Sequence, residues 1–422
     1  MNKHRYQAKG LQQVDWEKLA EAAADRRLVF AVDVAKEGFY GAFLVSAQEV
    51  LVTITWRHPQ ETRILEEHLR ALGAVRIEAA MEPSGTYGDS VREVLRALGC
   101  SVYLVSPKRV HDAAEVYDGV PSLHDAKAAY LIGRLHLEGA SRVWREDSPE
   151  RRDRQALVAE LDLYHSEQRR NLNRLEALLS RHWPELGRVT ELNRAGVLRL
   201  LASYGSPQAV CAESAAAEAL LYRVGRGLAN AQSIAAILDS AEHTLGVTCT
   251  CGEQHLLQVL AEELLRTRQA LREVERRIAK WIERDPPLQP LADTLGKTTA
   301  LVLDTAVGSP LDYPNAHAYL KAMGLNLKER SSGQHQGRLK ITKRGPARAR
   351  HYLFLSALRF VQRDPVIRAW YLGKLRRDGQ ISRCNALVAV MRKLALALWH
   401  VARGSPFDSS KLFDLKTLAL AA

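Results

Sequence analysis

The chain has 422 residues, 46% hydrophobic and 26% charged, a globular balance with enough apolar side chains for roughly two to four domains. Its formal charge is +12, which points to a polyanionic partner, whereas aromatics at 6% argue against a broad base-stacking platform. The expected location is cytoplasmic with no membrane partner, because no apolar run of about 20 residues or secretory leader is apparent. The five scattered cysteines (Cys100, Cys211, Cys249, Cys251, Cys384) suit a reducing compartment.

Residues 1–27 are polar and predict a loose helix or arm. Leu28 to Ala35 (LVFAVDVA) is a short β-branched apolar run and predicts a buried strand. Gly38 to Ser46 and Val50 to Trp56 predict two more, joined as an antiparallel meander. Pro59 to Leu72 has helical spacing (Ile64, Leu65, Leu69, Leu72) and stops at Gly73. A fourth strand over Val75 to Met81, a helix over Tyr87 to Leu98, a fifth strand over Ser101 to Val105 and a helix over Asp125 to Leu137 complete the series. The order β-β-β-α-β-α-β-α predicts an α/β ribonuclease H-like domain over 28–148, with strands one and four parallel neighbours.

From 149 to 285 the pattern predicts a helical domain. Leu157, Leu161, Tyr164, Leu175 and Leu179 form one seam; Leu257, Leu260, Leu264, Leu271, Val274, Ile278 and Trp281 form another. Such seams predict an antiparallel hairpin or a dimerising coiled coil. An Ala- and Leu-rich insert over 184–247 predicts a small helical bundle. Pro286, Pro287 and Pro290 mark a boundary, followed by a mostly α C-terminal domain over 286–405 and a tail over 406–422.

Asp33 sits inside the first strand among apolar neighbours, where a carboxylate is costly unless paired or bound to a cation. Glu82 closes the fourth strand and Asp125 opens the last helix of that domain. Singly, each has an ordinary structural use: a turn, a strand end, a helix cap. Jointly, on neighbouring parallel strands and a helix, they predict an oxygen-lined site for Mg²⁺ or Mn²⁺. Two such ions stabilise the attacking and leaving oxygens of a phosphodiester displacement.

The basic charge is concentrated. From Leu291 onward there are 22 Lys/Arg against 8 Asp/Glu, an excess larger than that of the whole chain. Lys328, Arg330, Arg338, Lys340, Lys343, Arg344, Arg348 and Arg350 cluster with Gly333, Gly337 and Gly345. Glycines let the backbone approach a phosphate chain, so Arg330, Arg338, Lys340, Lys343, Arg344, Arg348 and Arg350 are the expected nucleic-acid contacts. At the head of the run stands Arg330-Ser331-Ser332-Gly333, which by itself reads as a polar turn.

Three stretches carry a resemblance: VDVAK around Asp33, MEPSGTYG around Glu82, and the block LGKTTALVLDTAVG…YLKAMGL…SSGQHQGRLKITKRGPARARHYL. Together they resemble the bacterial insertion-sequence transposases with an Asp-Glu-Asp-Asp N-terminal domain, a group that includes the Piv-type DNA invertases. The resemblance spans most of 28–404. It implies site-specific recombination of donor and target DNA guided by a structured bridge RNA. It also implies a RuvC-like first domain, a coiled-coil domain, a helix-hairpin-helix-like start to the C-terminal domain, and assembly as tetramers; the expected assembly is a homo-oligomer, dimer or tetramer. The nucleophile it implies is Ser332, directly before Gly333, with Ser331 as the fallback. A metal site brought in from another domain or subunit would complete the chemistry.

One departure concerns the fourth acid. The family pattern has two aspartates three residues apart at the last helix. The preferred register makes Asp125 the first and Ala128 the replacement of the second; in the other, Ser122 replaces the first. Three carboxylates remain chemically adequate. His124 is either a further ligand or a surface residue. Cys249, Cys251 and His255 lack zinc-site spacing, and Gly225 and Gly227 follow no predicted strand. Trp370, Tyr371 and Trp399 fall at helical positions and read as core or packing surface. The expected function is an RNA-guided DNA recombinase. The rivals are a Mg²⁺-dependent junction resolvase or nuclease without the serine step, and an inactive nucleic-acid-binding relative.

Overall fold

The computed structural model describes residues 6–72, 76–83, 85–224, 231–329, 339–377 and 381–413. It divides into two compact units, Met1–Glu146 and Asp147–Ala422.

The first unit is a seven-stranded mixed sheet flanked by helices, consistent with the ribonuclease H-like arrangement. Its elements are β1 (Lys9–Gly10), α1 (Trp16–Ala23), β2 (Leu28–Asp33), β3 (Gly38–Leu44), β4 (Val50–Arg57), α2 (Thr62–Ala71), β5 (Ile77–Met81), α3 (Asp89–Ala97), β6 (Ser101–Val105), α4 (Pro107–Ala113), α5 (Asp125–Leu137) and β7 (Ser141–Val143). The spatial order is β1-β4-β3-β2-β5-β6-β7. The strands β2, β3 and β4 form the antiparallel meander, and β5 joins β2 in parallel. Residues 28–32 are buried without interruption, the pattern of a strand covered on both faces. Phe30, Phe43 and Trp56 fill one side of the sheet. The other side is covered by α5, whose Ala129, Tyr130, Leu131 and Ile132 are buried. Beyond the expected elements the unit has β1, α4 and β7. Residues 9–23, anticipated as a loose helix or arm, supply a strand parallel to β4 and a helix that buries Leu19 and Ala23. The helix stop at Gly73 and the strand start at Val75 lie outside the described residues.

The second unit is helical. Its first helix, α6 (Pro149–His182), is followed by α7 (Leu186–Val189), α8 (Ala195–Tyr204), α9 (Pro207–Ala212), α10 (Ser214–Val224), α11 (Ala231–Glu242) and the second long helix, α12 (Cys251–Arg284). A capping box, Thr250 with Glu253, starts α12. The two long helices run antiparallel. Leu157 and Leu161 pack with Val274 and Ile278, whereas Leu175 and Leu179 pack with Leu257 and Leu264. The expected small bundle, α7 to α11, closes over the second of these clusters. Then come α13 (Gln289–Leu295), α14 (Lys297–Val307), α15 (Ala316–Ala322), β8 (Leu327–Lys328), β9 (Lys340–Ile341), α16 (Ala347–Arg363), α17 (Pro365–Arg377), α18 (Arg383–Val401) and α19 (Ser409–Leu412). These helices share a core around Leu303, Tyr319, Leu353 and Leu394, against which Trp370, Tyr371 and Trp399 pack half-buried. Among the described residues α18 is the one helix long and apolar enough to cross a membrane, and half of its apolar window is buried in this core.

Candidate active site

The parallel register of β2 and β5 pairs Val32 with Met81. Asp33 and Glu82 are the next residues, so two carboxylates leave neighbouring strands at the same sheet edge. Both are half-buried. The third candidate, Asp125, opens α5 and is exposed. Where α5 crosses the sheet, a Cβ on Gly133 would stand 2.5 Å from Leu44 Cδ1 and 3.0 Å from Ala31 Cβ. Only glycine admits this approach without repacking, and it brings α5 down onto the strand that ends in Asp33.

The electrostatics couple Asp33 to Asp125 and Glu82 to Asp33. Burial raises the Asp33 carboxyl from 3.8 to about 6, the charge of Asp125 adds to the rise, and the Val34 N–H opposes it. Burial likewise raises Glu82 from 4.5 to about 7, with the charge of Asp33 adding to it. Crowding of this kind disfavours full ionisation of Asp33 and Glu82, and a bound cation offsets it. The donor set is all oxygen, which fits a hard divalent ion. Among the described residues no three His, Cys, Asp or Glu side chains yet stand together as a ligand cluster.

Two sets of contacts brace the loops that carry these acids. On the Glu82 side, His58 Nε2 is 2.9 Å from Ser90 Oγ at the start of α3, and its Nδ1 is 2.9 Å from Thr62 Oγ1. On the Asp125 side, Lys127 donates to Asp118 and to the Val120 carbonyl. The sequence reading missed both braces; the buried lysine two residues after Asp125 carried no periodic signal. His124 Nδ1 accepts the Lys127 backbone N–H at 3.3 Å, so that nitrogen caps the helix and is not free for an ion. Of the two positions considered for the missing acid, Ala128 is a buried residue of α5, and Ser122 is exposed ahead of the helix.

In the second unit, Ser331, Ser332, Arg330 and Arg338 lie outside the described residues, as do Gly225, Gly227, Gly333 and Gly337. The residues on either side of the serine stretch are brought together: Lys328 pairs with Lys340 and Leu327 with Ile341. Lys340, Lys343 and Arg344 are exposed. Two of the expected nucleic-acid contacts are engaged within the protein. Arg348 Nε is 2.5 Å from Asp162 Oδ2, and Arg350 Nη1 donates to the Gly345 carbonyl at 2.7 Å and the Met323 carbonyl at 3.2 Å. The backbone there is tight, since a Cβ on Gly345 would overlap the Ala322 carbonyl oxygen.

Comparison with known proteins accords with this layout. Residues 30–184 match the Transposase family model for the DEDD domain of IS110 elements. That match includes Asp33, Glu82 and Asp125. Residues 293–372 match the model of the Transposase IS116/IS110/IS902 family, a span that includes Ser332 and most of the basic run. Over 403 residues the chain is 25% identical to the "Insertion element IS110 uncharacterized 43.6 kDa protein" of Streptomyces coelicolor, covering 92% of this chain and 97% of that protein. With both domains in order on one polypeptide, the chain belongs to the insertion-sequence transposases of the IS110 type, DNA-recombining enzymes.

Proposed function

We propose that Asp33, Glu82 and Asp125 hold the divalent ion, Mg²⁺ or Mn²⁺, of a DNA strand-transfer site, and that Ser332 is the nucleophile. The observation that carries this reading is the pair of carboxylates at the ends of β2 and β5, whose proton affinities are raised toward neutrality. A metal-free site of this kind stores charge repulsion that ion binding relieves. The ion, when bound, offsets negative charge on the attacking and leaving oxygens. Asp33 ends the buried strand β2 and is the acid nearest the core of the sheet.

The serine step follows from bond accounting. Ser332 Oγ attacks phosphorus, the strand leaves as a 3′-hydroxyl, and the 5′-phosphoserine keeps the bond energy for rejoining. Lys340, Lys343 and Arg344 screen the phosphate. Guidance by a structured RNA and action as a homodimer or tetramer complete the reading, supported by the family membership and the C-terminal basic excess.

The test mixes purified protein, with and without copurifying RNA, with supercoiled donor and target DNA. Expected is strand exchange that needs divalent ion and RNA, with a protease-resistant nucleotide adduct on the Ser332 peptide. Nicking without exchange favours a hydrolase, and exchange without any serine adduct favours direct attack by a DNA hydroxyl.

A further inference from the structure

We infer that Lys127 and Asp118 are positioning residues that set where Asp125 stands. The inference rests on the metal reading above. Asp125 is exposed, and among the described residues its carboxylate makes no hydrogen bond or ion pair of its own. Its place is therefore decided by its neighbours, against the repulsion of Asp33.

The strongest neighbour is Lys127, two residues on in the first turn of α5 and 2% exposed. An ammonium taken from water costs several kcal/mol unless every proton finds an acceptor. Here three acceptors surround it: Asp118 Oδ1 and Oδ2, each at 2.9 Å, and the Val120 carbonyl at 2.7 Å. Asp118 is itself pinned. It accepts the Val120 N–H at 3.0 Å and the Tyr6 hydroxyl at 3.1 Å. The Tyr6 ring meets His124 and Tyr130 edge-on at 5.6 and 5.8 Å. Gly119 turns the chain with φ +67° between the two anchors. The irregular segment 114–124 is thus tied to the first helical turn by one buried ion pair. Releasing that tie frees the segment that leads into Asp125. Buried ion pairs of this kind commonly specify geometry more than they add stability.

The experiment uses the full chain and Mn²⁺ as probe, read by calorimetric titration and by amide exchange over 115–124. Lys127→Met and Asp118→Asn are expected to weaken Mn²⁺ binding about tenfold and to speed exchange in that segment, as loss of outer-shell support does at metal sites. The decisive variant is Lys127→Met/Asp118→Leu, which removes both buried charges together and so recovers thermal stability lost by either single change. Recovered stability with Mn²⁺ binding still weakened supports positioning. Recovery of both, or single variants that bind Mn²⁺ like the wild type, overturns the inference alone. Asp33→Asn serves as the reference: wild-type protein that takes up no more Mn²⁺ than Asp33→Asn overturns the metal reading itself, and this inference with it.

Discussion

Glu82 stands one residue beyond Met81, the parallel partner of Val32, and so it lies beside Asp33 at the ends of adjacent strands. Burial raises the proton affinity of both acids, and the charge of Asp33 adds to the rise at Glu82 as that of Asp125 does at Asp33. The site is thus least comfortable when empty and fully ionised. Four predictions follow from this and from the second unit.

Without divalent ion, the contribution of Asp33 and Glu82 to thermal stability falls as pH rises from about 4 to about 7. Asp33 moves from 3.8 to about 6 and Glu82 from 4.5 to about 7 on folding. The folded state therefore binds protons that the unfolded chain releases, and their contribution is present at low pH and lost through this window. Asp33→Asn flattens the slope and raises the melting temperature at pH 8 by about 2–4 °C. Melting curves of wild type and Asp33→Asn in chelator from pH 4.5 to 8 check this; identical slopes for the two proteins contradict it.

Gly133→Val lifts α5 from the sheet. The new Cβ meets Leu44 and Ala31 at distances that side chains do not tolerate, so overpacking costs about 1–3 kcal/mol. Strand transfer falls further than stability does, since Asp125 rides on the same helix. Urea unfolding alongside DNA-exchange assays separates the two effects.

Ser332→Ala protein forms no covalent DNA adduct while DNA binding stays within about twofold, because one hydroxyl adds little to a phosphate-dominated interface. Protease digestion of trapped complexes followed by mass analysis locates the adduct. An adduct that persists in Ser332→Ala moves the role to Ser331.

The basic residues sort into two kinds. Lys343→Ala and Arg344→Ala, at exposed positions, each lower the slope of log affinity against log salt by about 0.7–0.9. Arg350→Ala instead destabilises the fold by about 1–2 kcal/mol, because its guanidinium braces the Gly345 and Met323 carbonyls. Filter binding across a salt series and denaturant melts of the same proteins distinguish them.

Short-range pattern alone determined the meander, the parallel partner strand, the helix opening at Asp125 and the two leucine seams, because periods of two and 3.6 residues are written locally. The acids at the strand ends were legible for the same reason: a carboxylate among buried neighbours stands out wherever it occurs. The tertiary structure decided what depends on partners distant along the chain. Residues 9–10 become a strand only because the edge of β4 is free to receive them. Charge marks Arg348 and Arg350 as basic but does not say that one meets Asp162 and the other two carbonyls. The burial of Lys127 against Asp118 is likewise invisible in composition or period. An ion pair has no repeat, and only folding brings the loop and the helix together around one ammonium.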